Sequence, residues 1–441
     1  MSGGAEIVLV FGVFLALLCG GLWVPFAIMV TSLLYLVLHG GPPSLNALGL
    51  VSWGSTDSFT MTAVPLFIML AQILEKSGVS FRIYRGLSRF VRGIPGGLLQ
   101  TNIAGCALFA AITGSSVATA AAIGSVALPQ LARRRYAPRI AAGSLAAGGT
   151  LGIMMPPSIA LIIYGTFTET SIVRLFMAGL LPGLFMAALF MAYIAVRVSL
   201  RPELAPPERK QEREQERGGP DAPRLAALLD LVPFAVLIGG TLGSIYLGLA
   251  TPTEAAAIGC LFAIVIAAIW GELDWRRFRS ALSDTVKVGG NILFIVYAAF
   301  LFSYAVQRGG VGAALTRLLV DLHLSRLEFF LALFLLYTIL GCLVESIGII
   351  VITVPLLYPV LLKLGIDPIW FGIELVLFVE LGQITPPVGI NLFVIQSIGS
   401  GKLSDVVLGT VPFHLIMILV VFVLFAWPEL ALWLPHVLTR N

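Results

Sequence analysis

Two short stretches carry the residue types that an ion site inside a membrane needs. They are Gly149-Thr150-Leu151-Gly152 with Pro156-Pro157 behind it, and Gly382-Gln383-Ile384-Thr385 running directly into Pro386-Pro387. Proline has no backbone N–H and clashes with the preceding turn, so each pair breaks a helix. Hydrocarbon cannot satisfy the backbone groups that such a break frees. Freed carbonyls and helix C-termini suit a cation, and freed N–H groups at helix N-termini suit an anion. Two more polar breaks, Thr113-Gly114-Ser115-Ser116 and Gly341-Cys342-Leu343-Val344-Glu345-Ser346, interrupt apolar segments. Their hydroxyls and carbonyls are hard oxygen ligands for an ion such as sodium. Ser115, Ser116, Gly149, Thr150, Gly152 and Pro156 are therefore candidates for one sodium site. Gly341, Glu345, Ser346, Gly382, Thr385 and Pro386 are candidates for a second, and Thr113, Ser158 and Asn391 are candidate substrate contacts.

The competing reading is that Gly, Ser and Thr serve helix packing while Pro only kinks, as is common in membrane helices. Register argues against it, because the breaks are duplicated. At an offset of 230 residues, Pro129, Pro138, Pro156, Pro157 and Pro182 meet Pro359, Pro368, Pro386, Pro387 and Pro412, while Gly152 and Gly179 meet Gly382 and Gly409. At nearby offsets, Gly21-Leu22-Trp23-Val24-Pro25 answers to Gly248-Leu249-Ala250-Thr251-Pro252, and Gly78-Val79 to Gly310-Val311. Paired interruptions in two halves of an apolar chain mark the binding site of a secondary transporter.

The elements that position these breaks are membrane helices. The chain is 58% hydrophobic and 11% charged, against roughly a quarter charged in soluble domains, and its apolar runs are long enough to cross a bilayer. The fold class expected is all-α and polytopic, with two inverted-topology repeats. Each repeat carries a re-entrant helical hairpin and a discontinuous helix, in five crossings plus the hairpin. Residues 1–200 form the first repeat, with a hairpin at about 94–135 and a broken helix at about 137–168. Residues 201–224, which hold six basic and six acidic side chains, form a linker. Residues 225–441 form the second repeat, with a hairpin at about 327–363 and a broken helix at about 366–396. Lys and Arg favour the cytoplasmic side. That rule places the linker and the first hairpin's mouth in the cytoplasm, the second hairpin's mouth on the other side, and both termini in the periplasm. Of the 27 Lys and Arg, only Arg174, Arg308, Arg317, Arg326, Lys363 and Arg440 then lie outside.

Glu345, Glu374 and Glu380 are acidic residues at membrane depth, which are costly and usually functional. Glu345 sits at a hairpin break; Glu374 and Glu380 have the choice of a basic partner or a proton. Cys19, Cys106, Cys260 and Cys342 are scattered singly and read as small, buried, unpaired thiols. The histidines have no metal-site spacing, and His414 reads as a lone residue near a helix start. No nucleophile–base pair, phosphate loop or nucleotide motif is present, so the chain reads as neither an enzyme nor an ATP-driven pump. Its charge of +4 lies at membrane edges and gives no sign of a nucleic-acid partner.

At these residues the chain resembles the large membrane (permease) subunit of the tripartite ATP-independent periplasmic (TRAP) transporters. The resemblance rests on Gly114-Ser115-Ser116-Val117-Ala118-Thr119-Ala120-Ala121-Ala122-Ile123-Gly124-Ser125, Gly149-Thr150-Leu151-Gly152-Ile153-Met154-Met155-Pro156-Pro157-Ser158, Thr251-Pro252-Thr253-Glu254-Ala255-Ala256 and Leu364-Gly365-Ile366-Asp367-Pro368-Ile369-Trp370-Phe371-Gly372. Most specific is Ile384-Thr385-Pro386-Pro387-Val388-Gly389-Ile390-Asn391-Leu392-Phe393-Val394. The resemblance implies a sodium-coupled, elevator-type importer of a small organic acid (a carboxylate) in the bacterial inner membrane. It implies two protein partners, a small four-helix membrane subunit expected on a separate chain and a soluble periplasmic substrate-binding protein. The alternatives are a stand-alone two-hairpin dicarboxylate symporter or ion antiporter and, from another class, a channel.

Overall fold

A computed structural model describes residues 3–91, 93–206, 224–399 and 401–438. Most of the 201–224 linker, with Gln211, and the C-terminal Arg440 fall outside the described residues. Regular structure within them is entirely helical, and nine stretches are long and apolar enough to cross a membrane. The chain is a multi-pass membrane protein.

The first repeat runs α1 (Gly3–Cys19), α2 (Val24–Gly40), α3 (Leu48–Thr56), α4 (Ala63–Lys76), α5 (Val79–Val91), a hairpin of α6 (Leu98–Thr113) and α7 (Ser116–Arg133), a broken helix of α8 (Pro138–Met154) and α9 (Ile159–Thr168), and α10 (Ile172–Leu200). The second runs α11 (Arg224–Tyr246), α12 (Pro252–Ile269), α13 (Trp275–Gly309), α14 (Val311–Asp321), the hairpin α15 (Arg326–Leu343) and α16 (Ser346–Lys363), the broken helix α17 (Pro368–Gln383) and α18 (Ile390–Ile398), and α19 (Leu403–Ala426). A terminal helix, α20 (Glu429–Leu438), has no counterpart among the described residues of the first repeat and no forerunner in the sequence reading.

The duplicated turns are duplicated in conformation. Gly21 and Gly248 have φ of 82° and 70°, and Gly78 and Gly310 have φ of 73° and 74°, values that glycine adopts without the cost borne by other residues. Helix starts are written in caps. Thr251 with Glu254 and Ser325 with Glu328 form capping boxes, and the Asp367 carboxylate accepts from the Ile369 and Trp370 N–H groups ahead of α17. Each cap satisfies backbone donors that have no partner inside the helix.

Two bodies result. In one, α13 packs on α2 and α4, and α12 packs on α4. In the other, α8 packs against α6, α7 and α19, and α17 against α10, α15 and α19. Glycine makes the closest of these crossings, where Gly143 of α8 lies directly on the backbone of Gly409 in α19. Arg139 Nε donates to Asp405 Oδ1 at 2.9 Å across the same crossing. The arms α5 and α14 join the bodies, α5 touching α11 and α6, and α14 touching α13 and α16. Two sequence expectations change. Cys19 is exposed at the end of α1, because its helix face has no neighbour there. His414 lies in the middle of α19 rather than near its start, because that helix begins at Leu403.

Candidate functional site

The first hairpin turns where α6 ends at Thr113 and Gly114 takes φ 57°. A side chain at Gly114 would strike the Pro157 carbonyl, so the tip is seated on the break of the neighbouring helix. Ile159 N–H donates to the Gly114 carbonyl at 3.4 Å. Ser115 caps α7 by accepting from the Ala118 N–H at 3.4 Å. Its carbonyl lies against Gly152, where any Cβ would overlap it, and a Cβ at Gly149 would overlap Ala120. The Thr113 and Thr119 hydroxyls, 2.7 Å apart, line the same contact. The structure thus brings Gly149 and Gly152 against the hairpin arm beginning at Ser115, with Pro157 rather than Pro156 meeting the tip.

Two candidates turn elsewhere. Thr150 donates to the Ala147 carbonyl at 2.6 Å and faces Met417 of α19. Ser116 reaches across the molecule: its hydroxyl donates to Glu380 Oε2 at 3.2 Å and accepts from Asn391 Nδ2 at 2.6 Å.

The second contact is made backbone to backbone, with Gly341 of α15 resting on Gly382 of α17. Gly389 N–H donates to the Cys342 carbonyl at 3.4 Å. Gln383 Nε2 donates to Ser346 Oγ at 2.6 Å, an anchor the sequence reading missed although Gln383 stands inside the break it identified. Thr385 donates to the Leu381 carbonyl at 2.6 Å. The carbonyl oxygens of Thr385 and Gln383 lie 2.9 and 3.2 Å from where a Cβ on Gly389 would stand. Two carbonyl oxygens beside a glycine, next to the Leu392 methyl, are ligands of the kind a hard cation takes. Glu345 precedes α16 without capping it. Pro386 and Pro387 are exposed, whereas Pro156 and Pro157 are buried.

Between the two bodies lies a cavity of about 430 Å³, within the size range of small-molecule sites. The tips supply Thr113, Ser115, Glu345 and Ser346; the facing helices α4 and α13 supply Gln72, Glu75 and Asn291. Among the described residues no basic side chain lines it. Four helices begin at its wall: α7, α9, α16 and α18 contribute Val117, Ile159, Ile347 and Ile390 near their first turns. Of the four halves that end at the breaks, α6 and α8 also reach the cavity, through Thr113 and Ile153, while α15 and α17 turn their C-terminal turns to the Gly341–Gly382 contact. Four positive helix ends therefore border the cavity, together with the negative ends of α6 and α8. Of the candidate substrate contacts, Thr113 lines the cavity. Ser158 is buried as the cap of α9 and accepts from the Leu161 N–H, and Asn391 is buried against Ser116. Gln72, Glu75 and Asn291 escaped the sequence reading, because nothing local marks a helix face that meets a distant hairpin.

Glu374 and Glu380 are fully buried, and among the described residues neither has a bonded basic partner. Glu374 shares a small pocket with Arg326 without bonding to it.

Residues 11–430 match the family described as tripartite ATP-independent periplasmic transporter, DctM component. The chain is 31% identical to the C4-dicarboxylate TRAP transporter large permease protein DctM of Rhodobacter capsulatus, over 98% of this chain and 99% of that one. It is 29% identical to the sialic acid TRAP transporter large permease protein SiaM of Vibrio cholerae, over 97% of each. It is 31% identical to the isethionate TRAP transporter permease protein DctMQ of Oleidesulfovibrio alaskensis, over 93% of this chain and 64% of that longer one. The crystal structure of the Alcanivorax borkumensis YdaH transporter superposes with a TM-score of 0.66 at 15% identity, covering 94% of this chain and 97% of that one. At that identity the likeness is one of fold.

Proposed function

The chain belongs to the TRAP transporter family as its large membrane subunit, the DctM component, and we propose that it imports a small organic acid, as the carboxylate, together with sodium. The observation that carries this reading is the convergence of four helix N-termini on one cavity. Such ends carry partial positive charge even where Ser115 and Ser158 cap some of their N–H groups, and that charge favours a carboxylate without a lysine or arginine. The carbonyl-rich contacts at Ser115–Gly152 and Gly341–Gly382 lie behind the tips and supply oxygen ligands for sodium, which here is cargo. Glu75 and Glu345 on the cavity wall make an anion entering alone unfavourable, and co-bound cations offset that repulsion. The names of the relatives support the substrate class, since C4-dicarboxylate, sialic acid and isethionate are all acids.

The proposed setting is the bacterial inner membrane, with the linker cytoplasmic and both termini periplasmic. The body that carries the hairpins and broken helices slides as an elevator against the α2–α4–α12–α13 body, while α5 and α14 act as arms. The partners are a small four-helix membrane subunit and a periplasmic substrate-binding protein. The longer DctMQ relative, of which this chain matches 64%, supports the membrane partner.

Uptake into proteoliposomes containing both membrane subunits, with the binding protein outside, is expected to need an inward sodium gradient and no ATP. Undiminished uptake without sodium under a proton gradient rejects the reading. For orientation, cysteines at Gln211 and Thr439 are introduced into a Cys19→Ser background, since Cys19 is exposed. In intact spheroplasts an impermeant thiol reagent is expected to label Thr439→Cys and spare Gln211→Cys. The reverse pattern overturns the topology.

A further inference from the structure

One buried carboxyl group stands where the two repeats meet, and among the described residues no cationic side chain is bonded to it. Glu380 of α17 is 0% exposed. One of its oxygens accepts from the Ser116 hydroxyl at 3.2 Å, and the other, Oε1, has no hydrogen-bond partner. Ser116 accepts in turn from Asn391 Nδ2 at 2.6 Å, and the Asn391 carbonyl oxygen, buried as well, has no partner. The two ends of an amide are assigned by the network they join. Turning the Asn391 amide over places its carbonyl oxygen beside Ser116 Oγ, which is already within reach of the carboxylate. Carboxylate, hydroxyl and amide oxygens, one each from α17, α7 and α18, then stand in one cluster centred on Ser116.

An isolated charge buried in protein is expensive, and an unsatisfied buried oxygen adds to the cost. Glu374 has Arg326 in its pocket; Glu380 has no cationic side chain bonded to it. Nor is the feature part of the duplicated pattern. The position matching Glu380 at the repeat offset is Thr150, whose hydroxyl turns to the Ala147 carbonyl and Met417. The position matching Asn391 is Leu161. Ser116, by contrast, matches Ser346, which bonds within its own repeat to Gln383. The first hairpin thus hands its serine to the second broken helix.

We infer that Glu380, Ser116 and Asn391 form a third sodium site at the seam between the repeats, separate from the two carbonyl-rich sites behind the tips. This inference rests on the sodium-coupled reading above. A sodium ion there neutralises the carboxylate and fills the coordination of both orphaned oxygens. It also ties the tip of the first hairpin to the second broken helix, so the tip closes only when the seam is filled.

The test is equilibrium binding of radioactive sodium to the purified complex of both membrane subunits. Wild type is compared with Glu380→Gln, which keeps the shape and loses the charge. The sodium count at saturation is expected to fall by one in Glu380→Gln, with the remaining sites shifted less than twofold. Asn391→Ala, which removes a neutral ligand, is expected to weaken the same site about tenfold, in line with one lost interaction to a charged group. Equal counts in wild type and Glu380→Gln, as when the carboxyl carries a proton instead, overturn the inference and leave sodium coupling intact. Should Glu380→Gln fail to fold, unchanged count and affinity in Asn391→Ala overturn it equally. A wild-type complex that binds no sodium refutes the coupling itself.

Discussion

Along the first broken helix, from Leu151 to Ala160, every residue is buried; along the second, Pro386, Pro387 and Val388 stand exposed while Glu380, Gln383 and Asn391 are sealed inside. The backbones nevertheless match. Both break after a glycine that touches a hairpin, both carry a Pro-Pro pair, and both restart at the cavity. The first is a backbone device: Gly143, Gly149 and Gly152 let neighbouring chains approach until carbonyls do the work. The second adds side chains to the same scaffold, with Gln383 holding Ser346 and Glu380 reaching Ser116. Duplication has kept what the main chain requires and left the polar chemistry free to diverge. The two ion sites proposed behind the tips are equal in geometry and unequal in ligands.

The most damaging way to probe that equality is to fill the shared contacts. Gly152→Val and Gly382→Val each place a side chain on the backbone of a hairpin. Overpacking costs about 1–3 kcal/mol, and here it also pushes the tip from its seat. Both variants are expected to insert normally and to lose uptake to background, measured per mole of reconstituted protein. Normal uptake in either one removes that contact from the site. Less severe is Gln383→Leu, which strips Ser346 of its partner at a cost of about 1–3 kcal/mol. Uptake is expected to fall about tenfold, a factor equivalent to 1.4 kcal/mol within that range. The matching change in the first repeat, Ile153→Leu, keeps volume and apolarity and should cost less than about 1.5 kcal/mol with uptake retained. Equal losses in both would show that the side chains are interchangeable after all.

A milder contrast sets Thr385 against Thr150. Thr385→Ala should raise the sodium concentration for half-maximal uptake about tenfold, the weight of one interaction to a charged species. Thr150→Ala, whose hydroxyl faces α19, should lower thermal stability by about 1 kcal/mol and leave sodium dependence unchanged. Smallest are the caps: Thr251→Ala and Ser325→Ala should each cost about 1 kcal/mol in a thermal melt without altering uptake.

Much of this architecture was legible in the sequence, for identifiable reasons. Proline and glycine act through the backbone, so Pro156-Pro157 and Pro386-Pro387 announced both breaks without tertiary context, and the repeated glycines announced the turns at Gly21, Gly78, Gly248 and Gly310. Hairpin tips were readable because Ser115 and Glu345 follow long apolar runs. Side-chain direction was not. Thr150 and Ser116 sit in the right stretches and point away from the first break, because their rotation about the helix depends on neighbours far along the chain. The cavity's far wall was invisible for the same reason, as Gln72 and Asn291 look like ordinary polar residues until α4 and α13 are laid against the tips. Asn391 read as a substrate contact, and its burial against Ser116 follows from a crossing of repeats that no local pattern encodes.

The unbroken α13 carries a consequence of another kind. At 35 residues and 1.5 Å per residue it extends about 52 Å, well beyond the roughly 30 Å of a bilayer's hydrocarbon. Its partner in the first repeat is cut into α3 and α4 and can shorten, but α13 must tilt or lift its Arg-rich start clear of the lipid. Membrane thickness thereby sets the lean of the wall against which the hairpin-bearing body is proposed to slide. Transport in vesicles of shorter or longer acyl chains should register that lean, through a mismatch cost of fractions of a kcal/mol per Å.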